Sequence, residues 1–229
     1  MYDTHRWRAP FQASLPVMFG YLPLGAAFGI LAVEIGTPVW AAVLMSLVIY
    51  AGAGQFLAVA LLGAGAGLVD VTVATLMLNS RHLFYGLSLL KRFKGSGWRK
   101  PYLIFALTDE TYSLLTSQAN QNHDQAFRIS LLNHLWWMLG SLIGAAASAN
   151  IEFDSRGIEF ALTALFIVLT LEQASRLRRW LPFGLAIACA MAALILLPDR
   201  HMLLGAIGSA SLLLLVHYRM MRDNQGAQA

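Results

Sequence analysis

The sequence predicts an all-α protein, a polytopic transmembrane helical bundle of about seven spans with interrupted or re-entrant helices. Three observations predict it. Hydrophobic residues make up 58% of the 229 and charged residues only 12%, where a soluble domain carries about 25% charged residues; mean hydropathy is +0.60. Several apolar stretches reach the ~20 residues needed to cross a hydrocarbon core of about 30 Å. Three early stretches also carry Gly, Pro or charged residues mid-run, and irregular backbone at membrane depth survives only where protein or a water-filled cavity satisfies it.

Eight apolar segments follow in order: 13–33, 38–64, 67–90, 101–117, 127–148, 157–175, 180–197 and 201–218. Short connections leave no soluble domain, so residues 1–229 read as one integral-membrane domain with an N-terminal tail (1–12) and a polar tail (223–229) expected to fray. The first segment is longer than the roughly 7–15 residues of a cleavable signal core and reads as a membrane segment. It holds Gly20, Pro23, Gly25 and Gly29, with a helix break expected at Pro23 and Gly25. The second contains Ala51-Gly52-Ala53-Gly54-Gln55, poor material for continuous helix, and the third contains Asn79-Ser80-Arg81-His82. Interrupted segments in succession point to a transporter-type site.

Charge sets the expected topology. Lys91, Arg92, Lys94, Arg99 and Lys100 follow segment three, and Arg176, Arg178 and Arg179 follow segment six; both linkers should be cytoplasmic. So should the end carrying Arg219 and Arg222. The 149–158 linker, with Glu152 and Asp154 beside Arg156, suits the outside. Counting back from a cytoplasmic C-terminus makes the 118–128 linker cytoplasmic too, so segment four is predicted to be re-entrant or to lie along the cavity rather than to cross. That gives seven spans and an external N-terminus; with segment one also re-entrant there are six.

The net charge of +4 comes from these orienting residues, so no nucleic-acid partner is expected; membrane lipid is. The one cysteine, Cys189, lies in an apolar run and reads as a small packed hydrophobe. It excludes an internal disulfide framework and a multi-cysteine zinc site. No metal, cofactor or catalytic residue is predicted. Gly25/Gly29 and Gly140/Gly144 have the small-residue spacing that lets membrane helices approach closely. Trp40, Trp136, Trp137 and Trp180 read as interfacial anchors.

Three polar motifs carry the chemistry. Tyr50-Ala51-Gly52-Ala53-Gly54-Gln55-Phe56 can unwind and expose amides to a zwitterion, with Gln55 adding two donors and an acceptor. In Asn79-Ser80-Arg81-His82-x-x-Tyr85 an arginine at mid-span would cost about 2.5–3.5 kcal/mol uncompensated. Arg81 either binds a substrate carboxylate through paired hydrogen bonds or makes a structural ion pair. His82, a neighbour of Tyr85, either relays protons or is a hydrogen-bonded structural group. In Thr108-Asp109-Glu110-x-Tyr112 the two carboxylates point about 100° apart on a helix, so one can pair with Arg81 while the other faces a cavity and accepts a proton or ammonium group. A surface patch beside the basic 91–100 linker is the alternative.

Taken together, Tyr50–Phe56, Asn79–Gly86 and Leu107–Glu110, with the opening Ser14-Leu15-Pro16 … Gly20-Tyr21-x-Pro23-x-Gly25-x-Ala27-Phe28-Gly29, resemble the AzlC-type branched-chain amino acid permeases in order and spacing. The resemblance is strong over 10–115 and looser to about 215. Gly54 stands where that family's pattern would place Ser. The resemblance implies the large subunit of a two-component exporter of branched-chain amino acids such as valine, in a bacterial inner membrane, with a small AzlD-type membrane subunit as partner. Read from the three motifs themselves, the candidate substrate-binding residues are Tyr50, Gly52, Gly54, Gln55, Asn79, Arg81, His82 and Tyr85, with Asp109 and Glu110 for coupling or ion pairing. No nucleotide-binding loop is present, which favours a secondary transporter driven by an ion gradient. The alternatives are an intramembrane enzyme, which lacks a Gly-x-Ser-x-Gly elbow, a His-Glu-x-x-His pair and a Cys nucleophile, and a passive channel.

Overall fold

The computed structural model describes residues 5–117, 122–150, 167, 170–171, 175 and 180–226. Glu152, Asp154, Arg156, Arg176, Arg178 and Arg179, and with them the acidic and second basic linkers, lie outside the described residues, as does most of segment six. Among the described residues the structure is helical without strands. The helices are α1 (His5–Glu34), α2 (Val39–Val48), α3 (Gly52–Gly63), α4 (Leu68–Leu89), α5 (Arg99–Phe105), α6 (Asp109–Ser117), α7 (His123–Asn150), α8 (Leu181–Leu196) and α9 (Asp199–Gly226). Two of them, residues 6–34 and 123–150, are long and apolar enough to cross a membrane.

The chain divides into two compact units. One comprises residues 1–65 and 75–155, the other 66–74 and 156–229. The second unit carries the start of α4 and the α8–α9 hairpin, in which the Leu197 side chain lies against Gly205 and Cys189 is buried. The predicted tail continues α9 as helix to Gly226 rather than fraying from residue 223.

The first unit is organised by α1 and α7. A Cβ at Gly25 would stand 2.8 Å from the Trp137 carbonyl oxygen, and one at Gly140 would stand 2.6 Å from that of Leu22. At Gly29 it would run into Ser141 O, and at Gly144 into Ala26 O. The two Gly-x-x-x-Gly pairs therefore face each other and set the contact between backbones. This corrects the break expected at Pro23 and Gly25: α1 runs unbroken through Pro10, Pro16 and Pro23. Gly25 serves close approach to α7, and the packed partner holds straight a helix that proline would otherwise bend.

Segment two does break. α2 ends at Val48 and α3 starts at Gly52, with Tyr50 in the left-handed region at φ 44°, unusual for a bulky residue. The amides of Ile49 and Tyr50 both reach Met45 O, at 2.8 and 3.4 Å, closing α2. Segment four breaks as well, between Phe105 and Asp109. Thr108 caps α6: its Oγ1 accepts the Thr111 N–H at 3.2 Å, and Asp109 and Glu110 occupy the first turn, where carboxylates suit the helix dipole. Segment four is therefore two short helices joined at residues 106–108.

Segment three, by contrast, is not interrupted. α4 is continuous through Asn79-Ser80-Arg81-His82. Ser80 bonds back to Met77 O within the helix at 2.7 Å, and Arg81 is compensated by a partner on α6, so no unwinding is needed. Trp137 also departs from expectation: it is 3% exposed, a core residue and not an interfacial anchor, whereas Trp40 and Trp180 are exposed.

Candidate functional site

The two helix breaks converge inside the first unit. Tyr50, at the α2–α3 break, is buried and stacks on His134 of α7 with ring centroids 4.1 Å apart. It lies 6.2 Å from Phe105 at the end of α5 and 6.4 Å edge-on from Tyr21 of α1. Tyr21 in turn reaches the α5–α6 break, its hydroxyl 2.6 Å from Thr108 Oγ1 and 2.6 Å from Glu110 Oε2.

Buried hydrogen bonds fix the α2–α3 break. Gln55 Oε1 accepts from Trp137 Nε1 at 3.0 Å and from the Ala51 N–H at 3.3 Å, and its Nε2 donates to Ser46 Oγ at 3.1 Å. Ser46 Oγ donates to Ser141 Oγ at 2.7 Å, which donates to Trp137 O at 2.9 Å. His134 Nε2 lies 3.2 Å from Ser46 O and its Nδ1 3.1 Å from the Tyr102 hydroxyl. A carbonyl accepts only, so Nε2 carries the proton and Nδ1 accepts from Tyr102. Gln55 thus holds the scaffold of the break together, a role different from the substrate contact expected of it.

The two expected binding motifs meet at Gly54. A Cβ there would lie 2.7 Å from Asn79 Nδ2 and 2.8 Å from Oδ1, so the absent side chain makes room for Asn79 against the first turn of α3. Asn79 Oδ1 is buried without a hydrogen-bond partner. The first-turn amides of Gly52, Ala53 and Gly54 have no carbonyl inside their own helix to receive them. Gly52 lies under the Trp137 ring.

The adjacent carboxylates diverge as the helical angle requires. Asp109 Oδ2 pairs with Arg81 Nη1 at 2.7 Å and Oδ1 accepts from the Tyr85 hydroxyl at 2.5 Å. Tyr85 stacks on Tyr112 at 4.6 Å and has His82 edge-on at 5.8 Å. Of the two fates open to Arg81, the structure shows the ion pair. Glu110 takes the other direction, towards Tyr21. Among the described residues no three His, Cys, Asp or Glu gather as a metal site.

The basic linker is tied to neighbouring helices. Arg92 Nη1 donates to Leu115 O at 2.5 Å, and His123 Nε2 lies 2.9 Å from Arg92 O. Asp124 bridges Arg99 at 2.8 Å and Arg128 at 2.9 Å. Sequence reasoning missed the buried polar residues Tyr21, Ser46, Thr111, Asn133, His134 and Ser141. Ser46 and Ser141 are single hydroxyls in apolar helices, and none of the six has a spacing that marks it as one end of a long-range contact.

The AzlC protein family matches residues 16–151. An uncharacterized membrane protein of Helicobacter pylori is 44% identical over 187 residues, 78% of this chain and 82% of that protein. The Bacillus subtilis branched-chain amino acid transport protein AzlC is 34% identical over 205 residues, 88% of this chain and 81% of its own. The Escherichia coli inner membrane protein YgaZ is 31% identical over 179 residues, 71% of each. No solved structure matches. The chain belongs to the AzlC family of membrane proteins.

Proposed function

We propose that this chain is a multi-pass inner-membrane secondary transporter that exports branched-chain amino acids such as L-valine, driven by an ion gradient and working with a small AzlD-type membrane subunit. The observation that carries the reading is the meeting of two helix breaks around buried Tyr50 and Tyr21. Discontinuous helices pairing at depth are how transporters place backbone groups and helix ends at a substrate. The Bacillus subtilis relative, a branched-chain amino acid transport protein, supplies the substrate class.

A branched-chain amino acid has a carboxylate, an ammonium group and an aliphatic side chain. The first-turn amides of α3, at the positive end of its dipole, suit the carboxylate. The unpartnered Asn79 Oδ1 is an acceptor for the ammonium, beside that same turn. Phe105, Phe56 and neighbouring aliphatic side chains receive the hydrocarbon. Arg81, His82 and Tyr85 act one step back by holding Asp109, and Gln55 acts by holding the break. The AzlC family is a transport-protein family, so enzymatic roles for these groups are set aside.

The test is export in cells. Deleting the gene should raise intracellular valine after a dipeptide load, and the full chain should restore efflux only when co-expressed with the small subunit. Valine pools that do not respond to the deletion would overturn the proposal.

A further inference from the structure

Both broken segments of the first unit turn back to the end from which they start, and they start from opposite ends. α1 and α7 lie parallel: the Arg128 guanidinium stands 4.8 Å over the Trp7 ring, Trp136 Nε1 donates to Ser14 Oγ at 3.3 Å, and further along Gly29 packs on Ser141. The first residues of both helices thus share one end of the unit, and their last residues the other. α2 begins just beyond the end of α1 and passes along α7 from Ser141, bonded by Ser46, to His134, stacked on Tyr50. α3 then reverses. Gln55 meets Trp137, Phe56 meets Phe28, and Gly63 arrives back at the end of α1, where a Cβ would stand 2.9 Å from Ile35 Cγ2.

The second broken segment is built the other way round. α5 starts beside the first turn of α7, where Arg99 pairs with Asp124 at 2.8 Å, and ends with Phe105 against His134 at 5.8 Å. α6 returns: Asp109 meets Arg81, the latch that holds α6 to α4, and Leu115 O accepts from Arg92 back in the basic linker. From Asn79, beside Gly54, α4 runs to that same linker, opposite in direction to α1. Each broken segment therefore follows a long helix and enters at the end of it, and the two long helices point in opposite senses, an inverted repeat. The lengths agree: at about 1.5 Å per residue, arms of 10, 12, 7 and 9 residues reach only part of the way through a core of about 30 Å. Their tips meet there, Tyr50 and Phe105 at 6.2 Å, with Tyr21 edge-on to Tyr50.

We propose that residues 39–63 and 99–117 are two re-entrant hairpins entering from opposite faces of the membrane, and that the contact of their tips, Tyr50 on Phe105, is the barrier between the two sides of the substrate path. The barrier rests on the transport reading above; the hairpin topology does not. Charge supports the topology. Arg6, Arg8 and the five basic residues of 91–100 belong to one end of the unit, whereas 35–38 and 64–65 at the other carry no charge, so the basic end is cytoplasmic. The N-terminus then lies inside, not outside as it must if segment two crosses. With apolar segments six to eight each crossing, the chain makes six crossings. All its basic clusters, Arg6 and Arg8 included, fall on the cytoplasmic side and the acidic 149–158 linker falls outside. Seven crossings leave Arg6 and Arg8 on the wrong side.

The test places single cysteines in the full Cys189→Ala chain, in its own cells, and adds a membrane-impermeant maleimide to spheroplasts and to inverted vesicles. All the positions used are exposed, so the substitutions spare the core. Arg8→Cys, Lys94→Cys and Ser117→Cys should react only in inverted vesicles, and Pro38→Cys and Ala64→Cys only in spheroplasts. Reaction of 38 and 64 from opposite sides, or of 8 and 94 from opposite sides, would overturn the hairpins. The barrier is read with Phe105→Ala, a truncation at a residue 42% exposed. Valine loaded into de-energised cells should leave several-fold faster through this variant than through the native chain; an equal or slower leak would overturn the barrier. If cells without the chain release valine as fast as cells carrying either form, energised or not, the transport reading falls, and the labelling pattern still judges the hairpins.

Discussion

The α1–α7 pair and the two helix breaks are built from similar residues to opposite ends. In the pair, Gly25, Gly29, Gly140 and Gly144 remove side chains so that two unbroken helices touch through their backbones. Beside the α2–α3 break, Gly52 and Gly54 form the first turn of α3, and the space at Gly54 admits the Asn79 amide. Small residues therefore do not specify straightness or interruption by themselves. What decides is the facing group: a second backbone locks a helix, whereas an isolated polar side chain can support its end. Continuity is assigned to the scaffold, and interruption to the place where backbone amides are wanted.

The comparison breaks most severely at the pair. Gly144→Leu should destabilise the protein by about 3 kcal/mol or more, because even its Cβ would enter the Ala26 carbonyl and a backbone cannot rotate aside. The expected readout is loss of a monodisperse species in detergent; normal yield and melting temperature would refute the close-packed pair. Next comes the scaffold of the break. Gln55→Ala leaves the Trp137 indole and the Ala51 amide without an acceptor at a fully buried site, each such loss being worth about 1–3 kcal/mol. Thermal unfolding should register it, and Gln55→Glu, which keeps an acceptor oxygen for both donors but loses the donor to Ser46, should recover part of the loss.

The latch lies lower on the scale. The side chains of Arg81 and Asp109 are 34% and 27% exposed, between the surface and buried limits, so Asp109→Asn should cost about 1–3 kcal/mol. Charge exchange sharpens this: Arg81→Asp with Asp109→Arg should melt above either single variant. Equal melting of the double and the singles would show that the pair contributes nothing.

The distinction between scaffold and break was partly legible in the sequence. The Gly-x-x-x-Gly spacing of Gly25/Gly29 and Gly140/Gly144 marks a packing stripe whatever its partner, and Gly52-Ala53-Gly54 marks a weak helix. Asn79-Ser80-Arg81-His82 misled because a polar run resembles a break, although a helix tolerates one whenever a partner such as Asp109 arrives from elsewhere. Thr108-Asp109-Glu110 carries a helix-start signature, a cap followed by acids, that was readable but hidden inside an apolar segment. The buried polar links were not legible, because each joins residues far apart in the chain: Tyr21 to Thr108 spans 87 positions and Ser46 to Ser141 spans 95. No local pattern encodes such a contact. Adjacent Trp136 and Trp137 looked alike for the same reason; Trp136 meets Ser14 and Trp137 meets Gln55, and only the fold tells them apart.

The smallest stability effect is expected at Gly54, and it discriminates best. A Cβ at this position meets only the tip of the Asn79 side chain, at 2.7 Å, which can turn away without moving backbone. Gly54→Ala should therefore change stability by less than about 1 kcal/mol, helped by the lower chain entropy of alanine and opposed by the displaced amide. Gly54→Ser adds a hydroxyl that can bond the Asn79 amide and should be milder still. If Asn79 Oδ1 receives the ammonium group of the substrate, Gly54→Ala must raise the valine concentration for half-maximal export while leaving the melting temperature nearly fixed. Gly54→Ser should lie between the alanine variant and the native chain. A variant that exports valine with unchanged concentration dependence would place the substrate away from Asn79 and the first turn of α3. The α2–α3 break would then be a structural hinge facing α7, and the α5–α6 break alone would carry the binding chemistry.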